Sequence, residues 1–216
     1  MSKVVKIDDV KDKLKDEQKI MFGGFLECGT PDKLIDVLHE KDINDITLIA
    51  NDTGFPDKKL GSLIVANRVK KVIASHVGTN PETGKQMNNE EIEVELVPQG
   101  TLAERIRSHG AGLGGVLTPT GVGTVVEEGK EKIEIDGKEY LLEKPLQADV
   151  ALVKAWKADE AGNLVYRYAA RNFNPLIAMA ADLVIVEAEE IVPAGAIDAN
   201  EVMTPGIFVD YVVDFS

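Results

Sequence analysis

The sequence predicts an α/β fold: a mostly parallel sheet flanked by helices, with one small antiparallel hairpin excursion. Three observations carry this. Short, wholly apolar runs such as Ile20-Met21-Phe22 and Leu48-Ile49-Ala50 alternate with amphipathic stretches of helical period, the pattern of parallel strands buried on both faces. The first of these runs breaks at Gly23-Gly24 and passes through Gly29-Thr30-Pro31 into a helical stretch, a strand, glycine turn and helix in series. Residues 133 to 141 alternate with a period of two around Asp136-Gly137, the signal of a two-residue hairpin.

Taken in order, residues 7–17 read as a charged amphipathic helix, and Lys19 to Phe22 as the first buried strand. In the turn that follows, Gly23, Gly24 and Gly29 permit positive φ and close backbone approach. Thr30 is placed to cap the next helix and Pro31 to open its first turn. The free N–H groups and the helix N-terminus would then face an anion. That helix runs from Pro31 to about Glu40, with Leu34, Ile35, Val37 and Leu38 on its apolar face. A second strand at 46–50, a turn through Gly54-Phe55-Pro56, a helix over 60–68 and a third strand at 72–74 repeat the pattern. Residues 150–155, 183–187 and 209–213 return to strand composition. In an open parallel sheet, loops at the carboxyl ends of strands gather around one crevice. The segments 23–29, 51–56, 75–80 and 98–101 are the expected contributors.

The 216 residues, 44% hydrophobic and 28% charged, suffice for one substantial core, so the whole chain, 1–216, is read as a single domain. A net charge of −13 argues against nucleic acid or an anionic membrane as partner. The longest uncharged run, residues 110–126, is rich in Gly, Thr and Pro and unsuited to lipid. Cys28 is the single cysteine and the N-terminus lacks a signal-like apolar segment, so a cytoplasmic protein is expected. His39, His76 and His109 show no metal-ligand spacing, and no metal is expected. Arg68, Lys70 and Lys71 form a basic cluster read chiefly as a solvated face.

The glycine turn combines with a second motif, Val97-Pro98-Gln99-Gly100-Thr101-Leu102-Ala103-Glu104-Arg105, and with the stretch Thr118-Pro119-Thr120-Gly121-Val122-Gly123-Thr124. Further matches lie at Leu48 to Thr53, Ala151 to Ala155, Asp159 to Asn163, Ala170 to Pro175 and Thr204-Pro205-Gly206. Together these resemble the alpha subunit of the family I CoA-transferases, of the acetate, acetoacetate and butyrate type built from two different subunits. One departure stands out: an Asp-Gly pair of the family's pattern reads Asp16-Glu17 here. It is acceptable in a surface turn provided φ need not be positive.

The resemblance implies transfer of CoA from an acyl-CoA to a short-chain carboxylate, through a glutamate that becomes the covalent carrier. The glutamate attacks the thioester to form an anhydride and release CoA thiolate. The thiolate attacks the glutamyl carbonyl, and a second acid then collects the CoA. Each step passes through an oxyanion, so fixed hydrogen-bond donors matter most. In this family the glutamate belongs to the beta subunit, in a Ser-Glu-Asn-Gly type motif that this chain lacks; Glu127-Glu128 reads as a solvated charge pair. The resemblance therefore implies a beta-subunit partner, two copies of each subunit, acyl-CoA and short-chain carboxylates as substrates, and no permanently bound cofactor. It places CoA at Gly23, Gly24, Phe25, Leu26, Glu27, Cys28 and Gly29, with backbone contacts favoured. Gln99 is assigned as oxyanion or substrate support, its amide N–H being a suitable donor; Asn51, following the second strand, is a second candidate. The competing reading is a non-catalytic metabolite-sensing module of similar α/β fold, which normally follows a helix-turn-helix; too few residues precede the first strand to form one.

Overall fold

Alternate residues of single strands enter different cores. Ile20 and Phe22 pack with Leu48, Ala50, Val150 and Leu152 on one side of the sheet, while Met21 packs with Ile49, Ala151 and Val153 on the other. A strand buried on both faces has no use for polar residues, which is why these segments read as continuous apolar runs.

The computed structural model describes residues 2–216. The strands are β1 (Val4–Lys6), β2 (Lys19–Phe22), β3 (Ile46–Asp52), β4 (Val69–His76), β5 (Glu93–Leu96), β6 (Val116–Thr118), β7 (Lys132–Ile135), β8 (Lys138–Glu143), β9 (Ala148–Asp159), β10 (Leu164–Val165), β11 (Ala181–Val192) and β12 (Tyr211–Asp214). The helices are α1 (Asp8–Lys11), α2 (Asp32–Glu40), α3 (Lys59–Val65), α4 (Pro81–Asn88), α5 (Gln99–Gly110) and α6 (Asn174–Ile177). The main sheet has the order β1-β12-β11-β9-β2-β3-β4-β5 and is parallel throughout, except for β10, which runs antiparallel beside β9. The chain builds outward from β2 through β3, β4 and β5, then crosses to β9 on the other side of β2.

The excursion is the antiparallel sheet β6-β8-β7. Ile135 pairs with Lys138 across Asp136 and Gly137. Both turn residues have positive φ, 51° and 75°, as a type I′ turn requires. Glu127, of the pair expected to be solvated, is bridged to Lys132 at 2.8 Å, while Glu128 is exposed.

Several expectations are corrected. The helix expected over 7–17 is only the four residues of α1. Beyond it the chain turns, held by Gln18, which accepts from the N–H of Lys15 and donates to the carbonyl of Lys13. Glu17 lies in that turn with φ 62°, so the condition on which it seemed acceptable fails. A left-handed residue with a Cβ costs about 1–2 kcal/mol, which is the physical reason a glycine suits this position. α3 stops at Val65 rather than 68, because Asn67 turns left-handed (φ 55°) and the N–H of Arg68 closes onto Leu63, a helix-terminating arrangement. The strands expected at 72–74, 150–155 and 183–187 extend to 69–76, 148–159 and 181–192. α4, begun by Asn80 accepting from the N–H of Glu82, was not expected.

Candidate functional site

The glycine turn leaves β2 and closes on itself. Phe25 and Cys28 exchange both backbone hydrogen bonds, each 3.1 Å, and the N–H of Gly23 is taken by Leu152. Two glycines are required by one neighbour. A Cβ on Gly23 would lie 1.8 Å from Oδ1 of Asn174, and one on Gly29, whose φ is 84°, 2.9 Å from its Nδ2. Asn174, fully buried at the start of α6, accepts from the N–H of Lys154 on β9 (2.8 Å) and donates to the carbonyls of Gly29 and Ala170 (3.0 Å each). Asn172 adds a bond to the carbonyl of Cys28 at 2.8 Å. Gly23, Gly24, Phe25, Leu26, Glu27, Cys28 and Gly29 thus form one packed unit. The cavity on its inner side measures about 10 Å³, room for at most one water.

The helix N-terminus behind the turn is not open to a ligand, which corrects the anion-cradle expectation. Thr30 makes no capping bond, and Pro31 is the residue before the first helical turn. The cap comes from β11: Oε2 of Glu187 accepts from the N–H groups of Lys33 (2.7 Å) and Leu34 (3.2 Å). Oε1 of Glu187 receives Nζ of Lys154 at 2.8 Å, and the Glu187 side chain is 2% exposed. A carboxylate from the chain itself therefore already occupies the positive end of the dipole. Nothing in local sequence marks this pairing, since Lys154 and Glu187 meet only because β9 and β11 are in register.

Glu27 turns inward, with Oε1 buried, without a hydrogen-bond partner among the described residues, and lying against Gly54. Burial, and then the nearby Asp32, push its carboxyl above the ordinary range. Asp32 is itself raised by burial and by Glu187. On the outer side a cavity of about 330 Å³ is lined by Cys28, Asp32, Lys154, Trp156, Arg167 and Glu189. Its cations are engaged, Lys154 by Glu187 and Arg167 by Glu189. Phe25, Leu26 and Cys28 are exposed or nearly so.

The other sequence candidates meet at the carboxyl ends of β3 and β4. Asn51 is within β3 rather than after it and is 2% exposed. Gln99, exposed at the first position of α5, donates Nε2–H to Oδ1 of Asn51 at 2.7 Å. Ser75 Oγ, on β4, donates to the carbonyl (2.8 Å) and Oδ1 (3.1 Å) of Asn51. Nδ2 of Asn51 donates to Asp52. Asn51 is held from three sides, whereas Gln99 retains one N–H and its carbonyl oxygen for a ligand. Beside it a groove of about 620 Å³ opens between α5 and β6, lined by Gly100, Thr101, Glu104, Arg107, Leu117 and Thr118 among others. An exposed, oriented amide donor suits a developing oxyanion, and the groove begins at the next residue, Gly100.

The basic cluster is dispersed: Arg68 donates to Asn44, Lys71 pairs with Glu93 at 2.6 Å, and Lys70 faces solvent. Among the described residues no group of His, Cys, Asp and Glu is arranged to hold a metal, and no helix is long and apolar enough to cross a membrane. Asp52, Ser75, Asn174 and Glu187 were not anticipated as site residues. Asn174 had the clearest signal, standing in the Asn172-Phe173-Asn174-Pro175 run.

An open parallel sheet that collects polar amides at its strand ends beside a groove defines a protein that works on a ligand at the sheet's carboxyl edge. Comparison with known proteins narrows this class: the Coenzyme A transferase family model matches residues 6–214, and the chain belongs to that family. It is 54% identical over 212 residues to the acetate CoA-transferase subunit alpha of Escherichia coli K12, covering 98% of this chain and 96% of the relative. It is 55% identical, covering 98% and 97%, to the acetoacetyl-CoA:acetate/butyrate CoA transferase alpha subunit of Clostridium acetobutylicum. Its fold matches glutaconate coenzyme A-transferase from Acidaminococcus fermentans with TM-score 0.85 at 21% identity, covering 98% of this chain and 75% of that one. It also matches an acyl-CoA transferase from Escherichia coli O157:H7 with TM-score 0.83 at 23% identity; the match covers 99% of this chain, which spans about half of that longer one, 47%. Family membership disfavours the metabolite-sensing alternative.

Proposed function

We propose that this chain is the alpha subunit of a short-chain acyl-CoA:carboxylate CoA-transferase, of the acetate, butyrate and acetoacetate type, working with a beta subunit in a heterotetramer of two copies each. The observation that carries the proposal is the exposed Gln99 amide, oriented by buried Asn51 at 2.7 Å beside an open groove. It is a ready oxyanion donor, and Glu27, the carboxylate of the glycine turn, keeps Oε1 withdrawn from solvent. The end-to-end likeness to two proteins named as alpha subunits supports the same reading.

In this proposal the beta subunit presents a glutamate carboxylate at the groove. As it attacks the thioester carbonyl, negative charge gathers on the carbonyl oxygen, and the remaining N–H of Gln99 stabilises it. The C–S bond breaks, leaving an acyl-glutamyl anhydride and CoA thiolate. Thiolate attack on the glutamyl carbonyl frees the first carboxylate and leaves a glutamyl-CoA thioester. A second carboxylate attacks that thioester carbonyl, expels CoA thiolate to form a mixed anhydride, and the thiolate then takes the new acyl group and restores the glutamate. Charge gathers on the acyl carbonyl oxygen in the first and last additions, which the Gln99 donor serves, and on the glutamyl carbonyl oxygen in the two between.

CoA contact by residues 23–29 is proposed through their outward side, chiefly Phe25, Leu26 and Cys28, because the inner side is filled. CoA is a substrate, not a resident cofactor. A cytoplasmic location and a single domain spanning 1–216 belong to the same proposal; the latter is supported by β1 pairing with β12, which joins the two ends of the chain in one sheet.

The test is CoA exchange between acetoacetyl-CoA and acetate or butyrate, with this chain alone and with its beta subunit. Transfer only by the pair, lost when the partner's motif glutamate becomes Ala, is the expected result. Transfer by this chain alone would overturn the split site.

A further inference from the structure

The geometry points to Asp52 as a positioning residue that couples the glycine turn to the Asn51–Gln99 amide pair. The inference rests on the proposed transferase reading. Asp52 ends β3, is 3% exposed, and has no cationic partner among the described residues. Its charge is met by three N–H groups instead. Oδ2 accepts from the N–H of Leu26 (2.8 Å) and from Nδ2 of Asn51 (2.7 Å), and Oδ1 from the N–H of Gly54 (2.9 Å).

Each bond constrains something different. Leu26 stands at φ 44°, where a side chain is strained, so the bond to Asp52 helps to hold the turn in an unfavourable conformation. The bond to Nδ2 settles which way the Asn51 amide faces. With its NH₂ drawn to Asp52, Asn51 must present Oδ1 to Ser75 and Gln99. The chain of contacts Leu26, Asp52, Asn51, Gln99 therefore joins the two motifs, which are about seventy residues apart in sequence. A flipped Asn51 would offer a donor to the Gln99 donor and release it into the groove, and loss of orientation at a reacting group is costly.

The first variant is Asp52→Asn in the complete alpha–beta enzyme, assayed with acetoacetyl-CoA and acetate. It keeps size and shape but sets an NH₂ group against N–H donors. kcat falls about 10- to 100-fold, with both KM values within about threefold, since the effect is on orientation in the transition state. In a Gln99→Ala background the same change costs nothing further, whereas a full second loss there would overturn the proposal.

Leu26→Gly separates the role from turn stability. Glycine accepts φ 44° without strain, so L26G/D52N regains melting temperature relative to D52N but keeps the low kcat measured against L26G alone. Recovery of kcat with stability would show that Asp52 merely holds the turn. Asp182→Asn, exposed at the far end of β11, is the control that leaves kcat unchanged.

A readout independent of activity is the ¹⁵N side-chain amide resonance of Gln99 in the full chain. It moves in D52N and not in D182N; an unmoved signal overturns the inference. If the wild-type pair transfers no CoA, the function reading fails while this resonance still reports whether Asp52 orients the amide.

Discussion

The glycine turn and the Gln99 corner are neighbours joined through Asp52, yet they are built on opposite terms. In the turn, Phe25 and Cys28 satisfy each other, Asn174 fills the space left by Gly23 and Gly29, and Glu187 caps the helix behind. At the corner, buried Asn51 is held by Asp52, Ser75 and Gln99, but Gln99 remains exposed with an N–H to spare. One region, Glu27 Oε1 excepted, uses its polar groups internally and the other keeps one in reserve. Glycine-rich loops are commonly equated with ligand binding, but here Gly23 and Gly29 make room for an asparagine, and the exposed amide stands at the start of α5.

Three substitutions break or sharpen that contrast. The largest effect is expected from Gly23→Ala, whose Cβ would sit 1.8 Å from Asn174 Oδ1. Stability falls by about 2–4 kcal/mol, read as a drop in melting temperature of about 5–15 °C. Adding Asn174→Ala recovers part of the loss, a non-additivity expected of groups in direct contact; strictly additive losses would show that the glycine is not there for Asn174.

Next comes Gln99→Ala, with the reverse profile. Steady-state assays of the alpha–beta pair should show kcat down about 10²- to 10³-fold, while the melting temperature stays within about 2 °C because the side chain is exposed. A large fall in stability with unchanged kcat would exchange the roles of the two regions.

The smallest effect concerns Glu27. Its carboxyl is raised above the ordinary value of 4.5 by burial and by Asp32, with the Phe55 backbone and Lys58 opposing. The folded chain therefore holds more protons than the unfolded chain above that value. The stability it contributes is full below about 4.5 and is lost as pH rises through the raised value. Glu27→Gln removes this penalty, so the variant melts about 1–3 °C above wild type at pH 7.5, and the gap closes below pH 4.5. A gap that persists in acid would mean that packing rather than charge is responsible.

Legibility in the sequence followed the range of the interactions. The parallel sheet was readable because burial on both faces imposes continuous apolar runs, and the hairpin because Asp136-Gly137 meets a local φ requirement. Gln99 was identified through motif resemblance and Asn51 through its place at the end of the second strand, and the structure brings them into contact. The Thr30 cap failed because capping propensity is local, and Glu187 reaches the same N–H groups from another strand. The long helix over 7–17 failed for a local reason instead, since the Gln18 side chain bonds the backbone of Lys13 and Lys15 and holds a turn.

What the amino-acid order determined unaided is whatever depends on neighbours in the chain: strand and helix periods, the turn residues, and the motifs by which the family was recognised. Only the tertiary structure decided which groups remain free. That Glu187 closes the helix end, that Asn174 claims the glycine space and that Asn51 meets Gln99 all depend on strands and loops distant in sequence. Each such bond removes a donor or acceptor from use, because a buried polar group must find a partner wherever the fold supplies one.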